Sequence, residues 1–280
     1  RPLAEKLKDT LGPVVIENRG GAGGTLGAAL VARAEPDGHT ILFGSGATHI
    51  VGPVLATTRS YHPTKDFRGV AIITVSGLAI AVHPSLGVND LPALQAYGKS
   101  HPGALSYGSA GVGSATHLGA ELYKMLIEDG SIAHVPYQGG APALNDLVGG
   151  QIKLAFLNVS GPLFGLHRSG AVRLLAVTSA KRSPSAPEFM TAVEQGLPEM
   201  VALNFNGLFV PTGTPDALVQ RIAAAVASAL GDRQLTTLFQ AAGLEIATQA
   251  SPEEADRFIE DEIARWTPLM KQIGLASGAK

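Results

Sequence analysis

Leu105-Ser106-Tyr107-Gly108-Ser109-Ala110-Gly111-Val112-Gly113-Ser114-Ala115-Thr116-His117 is the stretch whose reading decides the fold. Leu105-Ser106-Tyr107 reads as a short strand, and a helix is predicted over 115–128. The run between them holds glycine, serine and small residues, so it reads as a strand-to-helix loop. Working outward, Ile132 to Val135 reads as the next strand, Pro142 to Val148 as a helix, and Ile152 to Phe156 as a third strand. Strand, helix, strand, helix, strand in that order argues for an α/β fold with mostly parallel sheets.

The same alternation runs along the rest of the chain. Strands are predicted over 14–18, 40–43, 70–73, 78–82, 173–177 and 203–210. Helices are predicted over 26–34, 48–56, 91–100, 216–230 and 252–272. The last has its start signal written out, with Ser251 as cap, Pro252 in the first turn and Glu254 three residues after the serine.

Four other loops resemble the first. They are Asn18-Arg19-Gly20-Gly21-Ala22-Gly23-Gly24-Thr25, Gly44-Ser45-Gly46-Ala47-Thr48, Pro136-Tyr137-Gln138-Gly139-Gly140-Ala141-Pro142 and Asn158-Val159-Ser160-Gly161-Pro162. In an open parallel sheet such loops gather at the carboxyl ends of the strands, where ligands bind. Each offers helix N-terminal amides and hydroxyls, and the amides with the helix dipole favour an anion. One such loop is explained by capping alone. Five, each with more small residues than a cap needs, point to ligand contact.

Composition narrows the function further. The 280 residues are 45% hydrophobic and 16% charged, with a net charge of −2, so no basic field invites nucleic acid. The longest apolar runs, such as Leu78-Ala79-Ile80-Ala81-Val82, are strand-sized, so no membrane span is expected. Cysteine is absent, which removes thiol catalysis, disulfides and thiolate metal sites. The eight histidines miss metal-ligand spacings, and neither metal nor cofactor is expected.

Phosphate and nucleophile motifs fail on their spacing. Gly98-Lys99-Ser100 has Ala93 where a P-loop needs glycine, and it sits late in a helix. From Gly111 and Gly113, the third glycine of a dinucleotide fingerprint falls on Thr116. Ser109 has Tyr107 where a nucleophile elbow needs glycine. The sequence leaves open a pairing of Ser109 or Ser114 with His117 or His134, for which no orienting carboxylate stands out. His117, at the start of a helix beside Ser114 and Thr116, reads either as a ligand contact or as a capping histidine.

The ordered set of motifs resembles one family. Val15-Ile16-Glu17-Asn18-Arg19 with Gly21-Ala22-Gly23-Gly24, then Glu35-Pro36-Asp37-Gly38 and Lys65-Asp66-Phe67, match it. The match continues through Tyr107 to Ser114 with His117-Leu118, and His134-Val135-Pro136-Tyr137 with Gly140 and Pro142-Ala143-Leu144. Leu175 to Arg182 and Pro211-Thr212-Gly213-Thr214-Pro215 complete it. The chain is thereby similar, over essentially its whole length, to the periplasmic substrate-binding proteins of tripartite tricarboxylate transporters, the Bug-type receptors.

The resemblance implies a type II periplasmic-binding-protein fold of two Rossmann-like lobes joined by a hinge of two crossings. We place the crossings near His101-Pro102 and at 204–206, giving lobes of 1–101 with 207–280, and 102–206. It implies a small carboxylate ligand (di- or tricarboxylate, acidic amino acid or aromatic acid) closed between the lobes. A membrane permease would receive it, and the receptor would be a non-catalytic periplasmic monomer. Carried over, Gly23, Gly24, Ser45 and Gly46 would touch the ligand from lobe one. Ser109, Ser114, Thr116 and His117 would grip it from lobe two, with Tyr137, Gln138 and Asn158 nearby. Arg19 is the only arginine in these loops, so neutral hydrogen bonds are expected rather than an arginine clamp.

Two departures accompany the match. The chain opens on Arg1-Pro2-Leu3-Ala4-Glu5-Lys6-Leu7, helical in character and without a signal peptide. The family's first strand and Pro- and Gly-rich loop would lie ahead of it, and we expect a truncated sequence. Leu157 stands where many members carry an acidic residue, which disfavours an amine-bearing ligand if that position faces the ligand. Two other functions stay open: a sensor that signals to a membrane partner, and a serine-dependent hydrolase.

Overall fold

The computed structural model describes residues 1–56, 60–184, 186–247 and 251–275. The chain divides into two compact units. The first comprises 1–75, 205–240 and 245–280, and the second 76–204 and 241–244. The first passage therefore comes at Val75/Ser76 and not near His101-Pro102. The reason lies in the next helix, α4 (Leu91–Ser100). Its Leu91 amide donates to the Gln195 side chain at 2.8 Å, tying it to the second unit. The return comes at Asn204/Phe205.

In the first unit, α1 (Pro2–Leu11) buries Leu3 and Leu7. They join a core with Val70, Ile73, Leu208, Val210 and the apolar face of α8 (Asp216–Leu230). β1 (Leu42–Ser45) runs antiparallel to β7 (Leu203–Pro211), with Leu42 opposite Phe209 and Ser45 opposite Asn206. α10 (Pro252–Gln272) starts with the capping box legible at Ser251 and Glu254. The segment 14–18, expected as a strand, is not one. A strand is completed only by a partner's backbone, and here Val15 is 84% exposed despite its β-branched side chain.

Buried in this unit is His49, stacked on Phe209 with ring centroids 3.8 Å apart. Its Nδ1 meets the Thr48 hydroxyl at 3.0 Å, while Nε2 is buried with no partner. Burial pulls its pKa from 6.5 to about 3. The unfolded chain thus takes up the proton first. The stability this histidine contributes is complete above pH 6.5 and is lost as pH falls toward 3. At pH 5 the loss is about 2 kcal/mol. Thermal unfolding will show Tm falling from pH 7 to pH 5, and His49→Phe, apolar beside Phe209, will flatten part of that slope. An unchanged slope in the variant contradicts this reading.

β2 (Phe67–Val82) is one strand of 16 residues where the sequence suggested two. Ser76-Gly77 reads as a break, yet the glycine marks a close approach. A Cβ on Gly77 would lie 2.7 Å from the Ser179 backbone nitrogen. In the second unit, the end of β2 pairs antiparallel with β5 (Leu154–Asn158) and with β6 (Arg173–Val177). β3 (Ser106–Ser109) lies parallel to both β5 and β4 (Ala133–Pro136). The helices α5 (Ala115–Leu126), α6 (Gly140–Val148) and α7 (Gly161–Arg168) each follow one of these parallel strands. One core of this unit gathers Ala79, Ala81, Leu147, Leu157, Leu163 and Phe164. The α/β class expected from the sequence is thus present, with more antiparallel pairing than expected.

Candidate functional site

Because β3, β4 and β5 are parallel, the loops after them open at one edge of the second unit. That edge collects Ser109, Ser114, Thr116 and His117 from the first loop, Tyr137 and Gln138 from the second, and Asn158 from the third.

The first loop is held by its own side chains. Thr116, almost fully buried, accepts the Ala110 N–H at 2.9 Å and meets the Ser114 hydroxyl at 2.8 Å. Ser114 caps α5 by accepting the His117 N–H at 3.2 Å. His117 Nδ1 accepts the Gly113 N–H at 3.1 Å. Gly111, with φ at 120°, donates to the Ser109 hydroxyl at 3.2 Å. A Cβ there would stand 3.0 Å from the Tyr137 carbonyl, so only glycine fits.

This bonding leaves a defined set of donors. Among the described residues no hydrogen bond takes up the N–H groups of Val112, Ala115 or Thr116. Two of them are first-turn amides of α5, which suit a carboxylate oxygen. The Gly139, Gly140 and Ala141 amides at the start of α6 are likewise unbonded among the described residues. Gln138 and Asn158 present exposed amide side chains at the same edge.

Tyr137 donates its hydroxyl to Asp146 at 2.7 Å. Burial and that carboxylate push its pKa up to about 12. Leu157 is 3% exposed and packs in the core, so it does not face a ligand; Asn158 beside it is exposed.

Of the serine–histidine pairings left open by the sequence, the structure shows Ser109 with His134. Its ring stacks on His117, with centroids 4.1 Å apart, and on Tyr107 at 4.7 Å. Its Nε2 lies 2.7 Å from the Ser109 hydroxyl. The usable signal was register: in parallel β3 and β4, Tyr107 sits opposite His134. The pair lacks what a nucleophile needs. Ser109 is fully buried, no carboxylate among the described residues bonds His134, and the Gly111 N–H is already directed at the Ser109 oxygen.

The first unit brings together its own four expected residues. Gly21, Gly23 and Gly24 all have positive φ, and the Gly24 amide donates to the Gly21 carbonyl at 2.9 Å. A Cβ on Gly24 would lie 3.1 Å from the Thr48 methyl, which puts this turn beside the one carrying Ser45 and Gly46. Thr48 locks that second turn by accepting the Ser45 N–H at 2.9 Å. Arg19 is occupied by Glu17 at 2.8 Å on the surface. Among the described residues, no group of three or more His, Cys, Asp or Glu side chains is placed to hold a metal ion. None of the described helices is long and apolar enough to cross a membrane.

Known proteins share this architecture. BugT of Bordetella pertussis is 34% identical over 276 residues, covering 98% of this chain and 84% of that protein. A solved structure of Rpa4515 from R. palustris with adipate superposes with a TM-score of 0.84 at 34% identity, covering 98% of this chain and 91% of that one. MatC (Rpa3494) from Rhodopseudomonas palustris, with bound malate, gives 0.80 at 33% identity, covering 96% of this chain and 92% of that one. The family model described as tripartite tricarboxylate transporter family receptor matches residues 1–275. With the α/β units and loop edge described above, this match makes the chain a member of the tripartite tricarboxylate transporter receptor family.

Proposed function

We propose that this chain is a periplasmic receptor, without catalytic activity, that binds a small dicarboxylate and passes it to a membrane permease. It would act as a monomer and without a cofactor. The observation that carries the reading is the edge of the second unit. There the Ala115 and Thr116 amides stand unbonded at the start of α5, beside the unbonded Gly140 and Ala141 amides of α6. Such donors match a carboxylate without any arginine. The adipate and malate in the two related structures are both dicarboxylates, which supports the same ligand class here. Ser109, Ser114, Thr116 and His117 shape the loop, while Gln138 and Asn158 supply side-chain amides. In the first unit, Gly23, Gly24, Ser45 and Gly46 supply closely approachable backbone.

A thermal-shift screen tests the class. Adipate, malate, succinate and aspartate are compared with adipamide and 1,6-hexanediol, which match adipate in length without its charge. At about 100 times Kd, a true ligand adds about 2.7 kcal/mol and raises Tm by about 2–4 °C. A shift with at least one di-acid and none with the neutral analogues is expected. Equal shifts with the neutral analogues, or none with any acid, overturn the reading.

A further inference from the structure

We infer that His117 and His134 are positioning residues that hold the 110–114 loop in shape, and that this hold fails once His117 takes up a proton. On the receptor reading above, acidification then releases the ligand.

Tyr107, His134 and His117 lie nearly parallel, with interplanar angles of 12° and 13° at the two steps. Each histidine is bonded to the ligand-facing loop. His117 Nδ1 accepts the Gly113 N–H, which requires that nitrogen to carry no proton. His134 Nε2 meets the Ser109 hydroxyl, whose oxygen also accepts the Gly111 N–H. The loop's backbone at Gly111 and Gly113 is therefore held through two imidazoles 4.1 Å apart.

A proton on His117 Nδ1 points at the Gly113 N–H and breaks that bond. A proton on both rings sets two like charges at stacking distance in a half-buried site. The other titratable groups facing the pair are Tyr107 from β3 and Glu121 and Lys124 from α5. Glu121 is the only nearby anion among them. It is already engaged by the Tyr107 hydroxyl at 2.6 Å and by Lys124 at 2.9 Å. Its charge is thus offset before it can shelter an imidazolium. In agreement, burial and then the neighbouring His134 draw the His117 pKa from 6.5 to about 4, and burial lowers that of His134 as well.

The folded loop disfavours the proton and the opened loop accepts it near pH 6.5. Closed, ligand-competent loop is therefore lost as pH falls below that value. If only His117 counts, the ratio of closed to opened loop drops about tenfold between pH 7.5 and 5.5, and affinity falls by up to that factor, set by how much opened loop the free protein holds. The opposite sign is the natural rival, since an imidazolium beside a carboxylate would attract it.

The experiment is calorimetric titration of the wild-type chain and of His117→Gln with adipate and with malate at pH 7.5, 6.5 and 5.5. The glutamine oxygen still accepts the Gly113 N–H but cannot be protonated in this range. Because ionisation of the ligand affects both proteins alike, their ratio isolates the histidine. The wild type will weaken more than the variant across the range, by up to about tenfold. Parallel profiles, or wild-type binding that tightens on acidification, overturn the inference. Should neither acid bind at pH 7.5, that failure belongs to the receptor reading. The clasp is then decided without ligand by NMR. His117 must titrate well below pH 6.5, with the Gly113 amide shift following the same curve. A Gly113 shift independent of His117 overturns it.

Discussion

Replacing Phe156 with alanine will cost about 3–5 kcal/mol of stability, among the largest losses available to a single substitution in this chain. Phe156 is 1% exposed on β5, opposite Ile80 of β2. Its ring meets Tyr107 edge-on at 5.9 Å and Tyr123 at 5.7 Å. Removing it leaves a cavity under Tyr107, the base of the ring column that reaches His134 and His117. The stability loss will therefore come with weaker dicarboxylate binding even under conditions where the variant stays folded. Urea unfolding followed by circular dichroism measures the first effect and calorimetry the second. A loss below about 1 kcal/mol would mean the pocket collapses freely and the ring is not structural.

Thr116→Val will lower dicarboxylate affinity by tenfold or more with a smaller cost in stability. Valine keeps the shape and removes the hydroxyl. That strands the Ala110 N–H, now bonded at 2.9 Å, and leaves Ser114 without its 2.8 Å partner. An unsatisfied buried donor costs about 1–3 kcal/mol, which the loop can relieve only by turning Ala110 toward water. That movement misplaces the first-turn amides of α5. Thr116→Ser restores the hydroxyl and should recover most of the affinity. Recovery with valine, or failure with serine, would place the importance of this residue in its methyl group.

These effects bear on how much of the molecule was legible in its sequence. Elements with local instructions were read at their observed bounds. α8, α10 and α4 span the residues expected of them, because caps and apolar periodicity are written within each segment. Elements defined by distant partners were not. The 14–18 segment has strand composition but no strand, and β2 continues through Ser76-Gly77 between backbone partners far along the chain, Glu245 for Val75 and Thr178 for Leu78.

The site divides in the same way. The Ser109 to His117 loop stood out because glycine and hydroxyl residues crowd between a strand and a helix. Within it, the residue types were legible and their tasks were not. Ser109, Thr116 and His117 shape the backbone, so the donors left for a ligand are amides that composition never displays. His134 was one of two histidines open to Ser109 or Ser114, and the parallel pairing of β3 and β4 is what selects it for Ser109. Leu157 shows the converse, a position that family comparison draws toward the ligand and packing assigns to the core.

Capture of a carboxylate by neutral donors at this edge makes binding insensitive to salt. Calorimetric titration of the folded chain with adipate and with malate at pH 7.5, in 50 mM and 500 mM salt, tests it most directly. One-to-one binding of at least one of these acids is expected, with affinity changing less than about threefold between the two salt concentrations, because no exposed ion pair does the holding. Absence of binding by both acids, or a loss of tenfold or more in the higher salt, would contradict it.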